Sequence, residues 1–223
     1  MSGVEQPRLP ERIQRPVVPQ TPQESLREAR GVLGLELAEA FARVQVLVLD
    51  ADGILTPGSL FYGPGGEALK EFSSQDGLGL VMGRVVGLKR AVLTGRHSAI
   101  VARRCAELRF EAVKFGRFDK AAALREILAE TACPAAGALY MGDDLIDIPA
   151  MDLVGLAVTV PSAAAEVKAA CDYVTRADGG RGAVREVIDL ILKSSGRFAL
   201  AVQRLSQPEY RPDPEELSSD EKG

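Results

Sequence analysis

Four consecutive apolar residues, Val46–Leu49, run directly into the acidic motif Asp50-Ala51-Asp52-Gly53. An uninterrupted apolar run of this length is typical of a parallel strand that is buried on both faces. In an open α/β sheet, ligands bind at the carboxyl end of such a strand. Two carboxylates at that end repel each other unless a cation or a shared proton lies between them. The motif therefore predicts a metal site and chemistry on an anion.

The chain between about residues 44 and 195 alternates strand and helix patterns. Further strands are predicted at 91–94, 112–115, 138–141, 156–160 and 173–175. Residues 59–72 carry the turn signal Gly-Pro-Gly-Gly between two short strand patterns, which predicts a β-hairpin. The alternation predicts a Rossmann-like parallel sheet with helices on both faces. The intervals between the polar motifs leave room for this hairpin insertion but not for a separate cap domain.

We expect three segments along the chain: a flexible N-terminal extension over 1–30, one folded domain over 31–198, and a mostly disordered C-terminal tail over 199–223. The net charge is −4 and lacks a basic cluster, which does not favour a nucleic-acid partner. No apolar stretch approaches the roughly 18 residues of a membrane span, so no membrane association is expected. Three widely spaced cysteines fit buried free thiols in a reducing compartment, which predicts a cytoplasmic location.

Polar motifs follow the later predicted strands or begin the later helices. They are Thr94-Gly95-Arg96, Lys120 and Gly142-Asp143-Asp144-Leu145-Ile146-Asp147. The carboxylate of Asp50 suits a nucleophile that accepts a phosphoryl group and releases it to water. Asp52 suits the acid that protonates the leaving oxygen of the bound substrate and the base that then deprotonates the attacking water.

The remaining polar residues complete a site for phosphoryl transfer. Asp143 is predicted to form an oxygen-rich Mg²⁺ site with Asp50 and with Asp52, the latter through its backbone carbonyl. Thr94 and Lys120 are predicted to hold the phosphate oxygens of the substrate and to balance the charge that builds up during transfer. The sequence contains one histidine, so a mechanism built on several histidines is excluded.

This ordered set of motifs resembles the haloacid dehalogenase phosphohydrolases, and within them the 3-deoxy-D-manno-octulosonate 8-phosphate phosphatase branch. The finer resemblance is carried by Asp76-Gly77-Leu78-Gly79, Thr94-Gly95-Arg96, Arg104-Cys105, Asp172-Tyr173-Val174-Thr175 and Gly179-Gly180-Arg181-Gly182-Ala183-Val184-Arg185-Glu186. It implies a capless fold of the haloacid dehalogenase type, a Mg²⁺-dependent phosphomonoesterase with an aspartyl-phosphate intermediate, and a homotetramer. The implied reaction releases phosphate from the eight-carbon sugar acid during lipopolysaccharide sugar biosynthesis.

The resemblance also implies contacts to a small anionic sugar phosphate from Asp76, Arg96 and Arg104, beside Asp52 and Lys120. A guanidinium such as that of Arg96 suits an anionic group on the sugar. Two positions depart from the family pattern: Gln75 stands where a basic residue is common, and Asp119 where asparagine is common. The first departure affects the sugar contact, and the second leaves the phosphate site unchanged.

Three alternatives remain open at the level of sequence. A phosphatase for a nine-carbon sugar acid 9-phosphate, or for another small sugar phosphate, shares the chemistry, although Arg96 favours the eight-carbon substrate. A receiver-type signalling domain uses similar residues around Mg²⁺ but in a different chain order. A non-catalytic scaffold would not need the complete set of catalytic positions.

Overall fold

The computed structural model describes residues 21–205, in which six parallel strands form one sheet. These strands are β1 (Val46–Leu49), β4 (Lys89–Leu93), β5 (Ala112–Lys114), β6 (Ala138–Met141), β7 (Leu156–Thr159) and β8 (Tyr173–Val174). Their order across the sheet is β5-β4-β1-β6-β7-β8. The predicted hairpin is present as the antiparallel pair β2 (Phe61–Gly63) and β3 (Gly66–Leu69). The parallel sheet and its hairpin insertion are therefore confirmed.

Helices flank the sheet on both faces, as expected. They are α1 (Pro22–Leu33), α2 (Leu35–Ala42), α3 (Ser74–Val85), α4 (Ala99–Glu107), α5 (Lys120–Glu130), α6 (Ile148–Met151), α7 (Ala165–Ala169), α8 (Ala183–Ser194) and α9 (Phe198–Leu205). Side chains of Ser98 and Asp119 cap α4 and α5 by accepting backbone N–H groups of the first turn. These caps fix where both helices begin, directly beside the carboxyl edge of the sheet.

The core is built from the apolar runs that the sequence makes conspicuous. All four residues of β1 are completely buried, in agreement with a central parallel strand. On α8, the stripe formed by Val184, Val187, Ile188 and Ile191 is completely buried as well. This helix packs against α1, α2 and α3, so it joins elements from distant parts of the described chain.

Both ends of the described chain are more ordered than the sequence indicates. Residues 22–30 were expected to be flexible, but they lie in α1, which begins with a capping box between Thr21 and Glu24. The tail expected from residue 199 instead continues through α9, whose Ala201 is completely buried. Residues 1–20 and 206–223 lie outside the described part, so the expectations for them stay predictions. Within 21–205, no helix is long and apolar enough to cross a membrane.

The order of the strands creates a crevice at the carboxyl end of β1. This strand has β4 on one side and β6 on the other, so the chain proceeds from it in opposite directions across the sheet. Such a reversal is where open α/β sheets bind their ligands. The loops that follow β1, β4 and β6 carry the predicted polar motifs, and all three meet at this crevice.

Candidate active site

Asp50 and Lys120 form a buried ion pair at the centre of the crevice. The Lys120 ammonium is completely buried and donates to Asp50 Oδ1 at 2.9 Å and to the Leu93 carbonyl oxygen at 2.8 Å. Burial raises the pKa of Asp50 to about 6, although Lys120 opposes this rise. Burial alone would lower the pKa of Lys120, but the nearby carboxylates raise it above its ordinary value. Asp50 and Lys120, each predicted from the sequence to lie at the site, are thus in direct contact.

A second carboxylate, that of Asp147, also contacts the Lys120 ammonium and helps to orient it. Asp147 is completely buried, and its Oδ1 lies 3.1 Å from the Lys120 ammonium and accepts a 2.6 Å hydrogen bond from the Tyr140 hydroxyl. Its Oδ2 accepts backbone N–H groups from Asp143 and Asp144, each at 3.1 Å. Both oxygens of Asp147 are therefore held by the protein, which makes it a positioning group for Lys120 and for the loop after β6.

Asp143 carries the clearest mark of a cation site. Its Oδ1 is buried and has no hydrogen-bond partner within the described residues. Carboxylate oxygens of Asp50, Asp143 and Asp147 all lie within 4.8 Å of one another. Burial, reinforced by the charges of Asp50 and Asp147, raises the pKa of Asp143 to about 7. An all-oxygen cluster with an unpartnered oxygen is the donor set that suits Mg²⁺.

Gly53 makes room for this arrangement. A Cβ added at Gly53 would overlap the Asp143 carboxylate, and the φ of +92° at Gly53 is one that other residues rarely adopt. The carboxylate of Asp52 lies outside the cluster of Asp50, Asp143 and Asp147. Its predicted part in the metal site therefore depends on its backbone carbonyl, as the sequence analysis proposed.

The cleft above Asp50 has a volume of about 160 Å³. It is lined by Asp50, Asp52, Thr94, Gly95, Arg96, Phe118, Asp143, Asp144 and Ile146. Thr94 is buried, and its hydroxyl oxygen accepts the backbone N–H of Arg96 at 3.3 Å. Arg96 is half-exposed, with its Nε 3.5 Å from Asp52 Oδ2 and its Nη2 donating to the Tyr62 hydroxyl at 2.6 Å. Arg96 therefore lies at the rim of the cleft and contacts the hairpin.

Lys70 is a part of this site that the sequence analysis did not identify. It follows β3, and its fully buried side chain pairs with the carboxylates of Asp52 and Glu67. Glu67 in turn accepts a hydrogen bond from the Ser98 hydroxyl. The available signal in the sequence was weak: a glutamate and a lysine three residues apart beside a hairpin turn, which is common on exposed ribbons.

Asp76 is not brought to the cleft. Its carboxylate is buried and accepts the backbone N–H groups of Gly182 at 3.2 Å and Arg185 at 2.8 Å, so it holds the start of α8. Just before α8, the backbone N–H of Gly180 donates to the Ile54 carbonyl at 2.9 Å. The neighbouring Gly179 lies so close to the Gly53 carbonyl that a Cβ would overlap it. The motifs 76–79 and 179–186 thus brace the loop after β1 in this structure.

Arg104 lies in a neighbouring cleft of about 400 Å³ that Lys70 and Phe72 also line. Its guanidinium carbon is 5.8 Å from the centroid of the Phe72 ring, and its Nη1 pairs with Glu107 at 3.2 Å. The Asp52–Lys70 pair links this second cleft to the one above Asp50, because each partner lines one of them.

The arrangement suits attack by a carboxylate on a highly charged anion such as a phosphate ester. Asp50 presents a carboxylate fixed by a lysine, and the oxygens of Asp143 and Asp50 can hold a divalent cation beside it. Asp52 offers a second carboxylate in the same cleft, which can exchange a proton with a bound ligand. These groups match the requirements of a covalent phosphoryl transfer to a carboxylate.

The chain is similar in sequence to known phosphatases and matches one family model. Residues 112–188 match the family model described as a haloacid dehalogenase-like hydrolase. The 3-deoxy-D-manno-octulosonate 8-phosphate phosphatase of Escherichia coli K12 is 38% identical over 174 residues, which cover 78% of this chain and 93% of that protein. The enzyme of the same name from Haemophilus influenzae is 36% identical over 164 residues, covering 74% of this chain and 91% of the relative.

Solved structures show the same likeness in three dimensions. The 3-deoxy-D-manno-octulosonate 8-phosphate phosphatase of Moraxella catarrhalis, solved with a magnesium ion, a phosphate ion and the sugar acid, superposes with a TM-score of 0.72 at 36% identity. That match covers 75% of this chain and 97% of the other. The corresponding enzyme of Yersinia pestis gives a TM-score of 0.70 at 38% identity, covering 72% of this chain and 87% of the other.

Proposed function

The chain belongs to the 3-deoxy-D-manno-octulosonate 8-phosphate phosphatase family of haloacid dehalogenase-like hydrolases, and on this premise we propose that it hydrolyses that sugar acid phosphate. The products are the free eight-carbon sugar acid and inorganic phosphate. The observation that carries the proposal is the pairing of Asp50 with Lys120 beside the unpartnered Asp143 Oδ1. This combination prepares one carboxylate for attack and leaves another free for a cation.

In the proposed mechanism, Asp50 and Asp52 share the chemistry. An Asp50 oxygen forms a bond to phosphorus while the bond from phosphorus to the ester oxygen breaks, and a proton on Asp52 passes to that oxygen. A water molecule then attacks phosphorus, its proton returns to Asp52, and the bond to Asp50 breaks. Thr94 and Lys120 hold the phosphoryl oxygens during both steps.

Mg²⁺ is the cofactor that we propose for this reaction. Asp50, Asp143 and the backbone carbonyl of Asp52 would hold it, while Asp147 stays committed to Tyr140 and the backbone. When bound, the ion offsets the negative charge of the clustered carboxylates and of the incoming phosphate. The magnesium reported with the Moraxella catarrhalis enzyme supports this choice.

Phosphate release from a panel of sugar phosphates tests the proposal. With Mg²⁺ present, we expect the eight-carbon sugar acid 8-phosphate to be turned over with the highest kcat/KM, and excess chelator to abolish the activity until Mg²⁺ is restored. A preference for a nine-carbon sugar acid 9-phosphate would reassign the substrate within the same chemistry. Absence of turnover on every ester, or full activity in chelator, would contradict the proposal.

We also propose that the protein is a homotetramer in which the hairpin contacts a neighbouring subunit. Side chains of Phe61, Tyr62 and Leu69 are exposed on this ribbon, and an isolated two-stranded ribbon is rarely stable alone. The described chain between Asp52 and Thr94 contains the hairpin and α3 but no cap over the cleft. Light scattering at micromolar concentration tests this: a fully active monomer would refute it. The cytoplasmic location and the contacts of Asp76 and Arg104 to substrate stay predictions.

A further inference from the structure

The contacts of Asp52 divide its two oxygens into different environments. Oδ1 is held by the fully buried ammonium of Lys70 and by the Thr56 hydroxyl, which donates at 3.3 Å. Oδ2 lies 3.5 Å from Nε of the half-exposed Arg96, and Asp52 lines the cleft above Asp50. Oδ1 is therefore held by two close partners, whereas Oδ2 has the longer contact to Arg96 at the rim of the cleft.

Burial of the Lys70 ammonium costs free energy that its carboxylate partners must offset. An ammonium without solvent contact loses its hydration and depends on its partners. Those partners are Asp52 and Glu67, whose Oε1 lies 3.1 Å away. Because Glu67 also accepts from Ser98, the cap of α4, the base of the hairpin is tied to both the loop after β1 and the loop after β4.

We propose that Lys70 is a positioning residue that holds Asp52 Oδ1 so that Oδ2 is aimed at the ester oxygen of the substrate. The inference rests on the proposed function, because it assigns Lys70 to the proton transfer of that reaction. In the first step the proton on Oδ2 passes to the ester oxygen as its bond to phosphorus breaks and the bond from phosphorus to Asp50 forms. Lys70 itself neither gives nor takes a proton.

The hairpin thereby gains a role inside its own subunit. Its strands present exposed apolar side chains, whereas Lys70, directly after β3, places a buried ammonium beside the acid of the reaction. A purely packing role would require an apolar side chain at position 70, since burial of an ammonium does not favour packing. The charge at this position is explained by the carboxylate that it orients.

The test uses two leaving groups of different basicity. The sugar acid phosphate is a primary alkyl ester whose leaving oxygen needs a proton, whereas p-nitrophenyl phosphate releases a stable phenolate without one. We compare kcat/KM because it reports the steps up to cleavage of the ester. Lys70→Met should lower kcat/KM about 100-fold on the alkyl ester but no more than about threefold on the aryl ester, in line with the weight of general acid catalysis.

Three controls make the result specific. Lys70→Arg retains a cationic donor and should restore about tenfold of the lost rate on the alkyl ester. Lys193→Met removes a different ion pair, between Lys193 of α8 and Glu28 of α1. It should leave kcat/KM unchanged on both esters. In an Asp52→Asn background, Lys70→Met should add no further selective loss, because residues that act as one unit are not additive.

Equal losses on both esters, or a rise in KM on the alkyl ester with kcat unchanged, would overturn the inference. If Lys70→Met does not fold, Lys70→Gln keeps an N–H donor without the charge and is judged by the same ratio. Failure of the proposed function has a different signature: the wild-type protein would not hydrolyse the sugar acid phosphate. The comparison would then be made with glycerol 1-phosphate as the alkyl ester.

Discussion

Arg90 and Lys120 are both completely buried cations, yet they lie at opposite ends of β4 and are satisfied in different ways. Arg90 lies near the start of the strand and donates to the carbonyl oxygens of Leu80, Leu108 and Arg109 at 2.8–3.2 Å. It also forms a 2.7 Å ion pair with Glu111. Lys120, at the far end, depends mainly on ionised side chains.

The two environments shift the pKa values in opposite directions. Burial lowers the pKa of Arg90, and Glu111 only partly offsets this. For Lys120 the charges of Asp50 and Asp147 outweigh burial, so the pKa is raised. Carbonyl groups and one carboxylate satisfy the buried Arg90 without any bound ligand. Carboxylates gathered in excess around a cation instead leave negative charge that a metal and a substrate can use.

A buried charge by itself therefore does not identify a functional site. At the amino end of the sheet the charge is balanced by groups that the fold supplies, and it stabilises the structure. At the carboxyl end the balance is incomplete, because the oxygens of three carboxylates, Asp50, Asp143 and Asp147, cluster beside the ammonium of Lys120. Substitutions should therefore affect activity at one end and stability at the other.

The largest effect is expected at Asp50. Asp50→Asn removes the nucleophile and should lower kcat by about 10⁴-fold or more. The raised pKa of Asp50 shows that the fold disfavours its ionised form. Removing this charge should therefore not lower the melting temperature. Phosphate release and thermal unfolding measure the two effects. Activity near that of the wild type in a verified Asp50→Asn preparation would rule out the assignment.

The opposite outcome is expected for Arg90. Arg90→Met leaves the carbonyls of Leu80, Leu108 and Arg109 without their donor and Glu111 without its partner. It should lower the free energy of unfolding by about 3 kcal/mol, because buried carbonyl acceptors lose a donor, while kcat of the folded protein stays within about twofold. Urea unfolding and active-site-normalised kinetics provide the measurements.

Arg117→Met is a suitable control for Arg90→Met. Arg117 pairs with Glu126 on the surface, so its loss should alter the urea midpoint only slightly. If Arg90→Met instead reduced kcat strongly at unchanged stability, the division between the two ends of the sheet would be incorrect.

A smaller and more selective effect is expected at Arg96, on the rim of the carboxyl end. Its guanidinium can bind the carboxylate of a sugar acid through two hydrogen bonds. Arg96→Ala should lower kcat/KM for the sugar acid phosphate by about 30-fold, corresponding to a charged hydrogen bond of about 2 kcal/mol. Turnover of a small generic phosphate ester should change much less. Equal losses on both would assign Arg96 to the phosphate or to the fold.

The smallest effect concerns pH and the metal. Without Mg²⁺, Asp50 and Asp143 have pKa values of about 6 and about 7, above those of unfolded carboxyl groups. The folded state therefore binds more protons between about pH 4 and 7, and its stability should fall as pH rises through this window. Mg²⁺ binds the ionised carboxylates, so the increase in melting temperature that it causes should be larger at pH 7.5 than at pH 5.5.

Asp143→Asn tests the origin of this dependence. In chelator, the variant should lose less stability than the wild type as the pH rises, because one of the titrating carboxylates is gone. Thermal unfolding in parallel buffers measures both. The explanation fails if Mg²⁺ stabilises the wild type equally at both pH values.

Much of this division could be predicted from the sequence, for identifiable reasons. The apolar run of β1 and the alternation of elements locate the carboxyl edge, and the order of the motifs brings Asp50, Lys120 and Asp143 together there. The caps at Ser98 and Asp119 are also of a predictable kind, because capping depends on local sequence. These features follow from periodicity and from short-range rules.

What the sequence did not reveal depends on contacts between distant segments. Lys70 is buried only because the hairpin folds back over the loop after β1, which no periodic pattern predicts. The hydrogen bonds from Asp76 to the start of α8 were not evident either, since they depend on the packing of α3 on α8. The burial of Arg90 is not predictable either, because a lone arginine in a strand pattern has no local signal of burial.

The brace formed by Gly179 and Gly180 has a consequence for the newly synthesised protein. The loop that carries Asp50 and Asp52 leaves the ribosome early, whereas the glycines that support it emerge only with the last part of the domain. Chains fold from the amino end as they are made, so the nascent strand has its nucleophile long before the support is in place. Truncated translation products that end before residue 179 would therefore carry the catalytic motif without a finished active site.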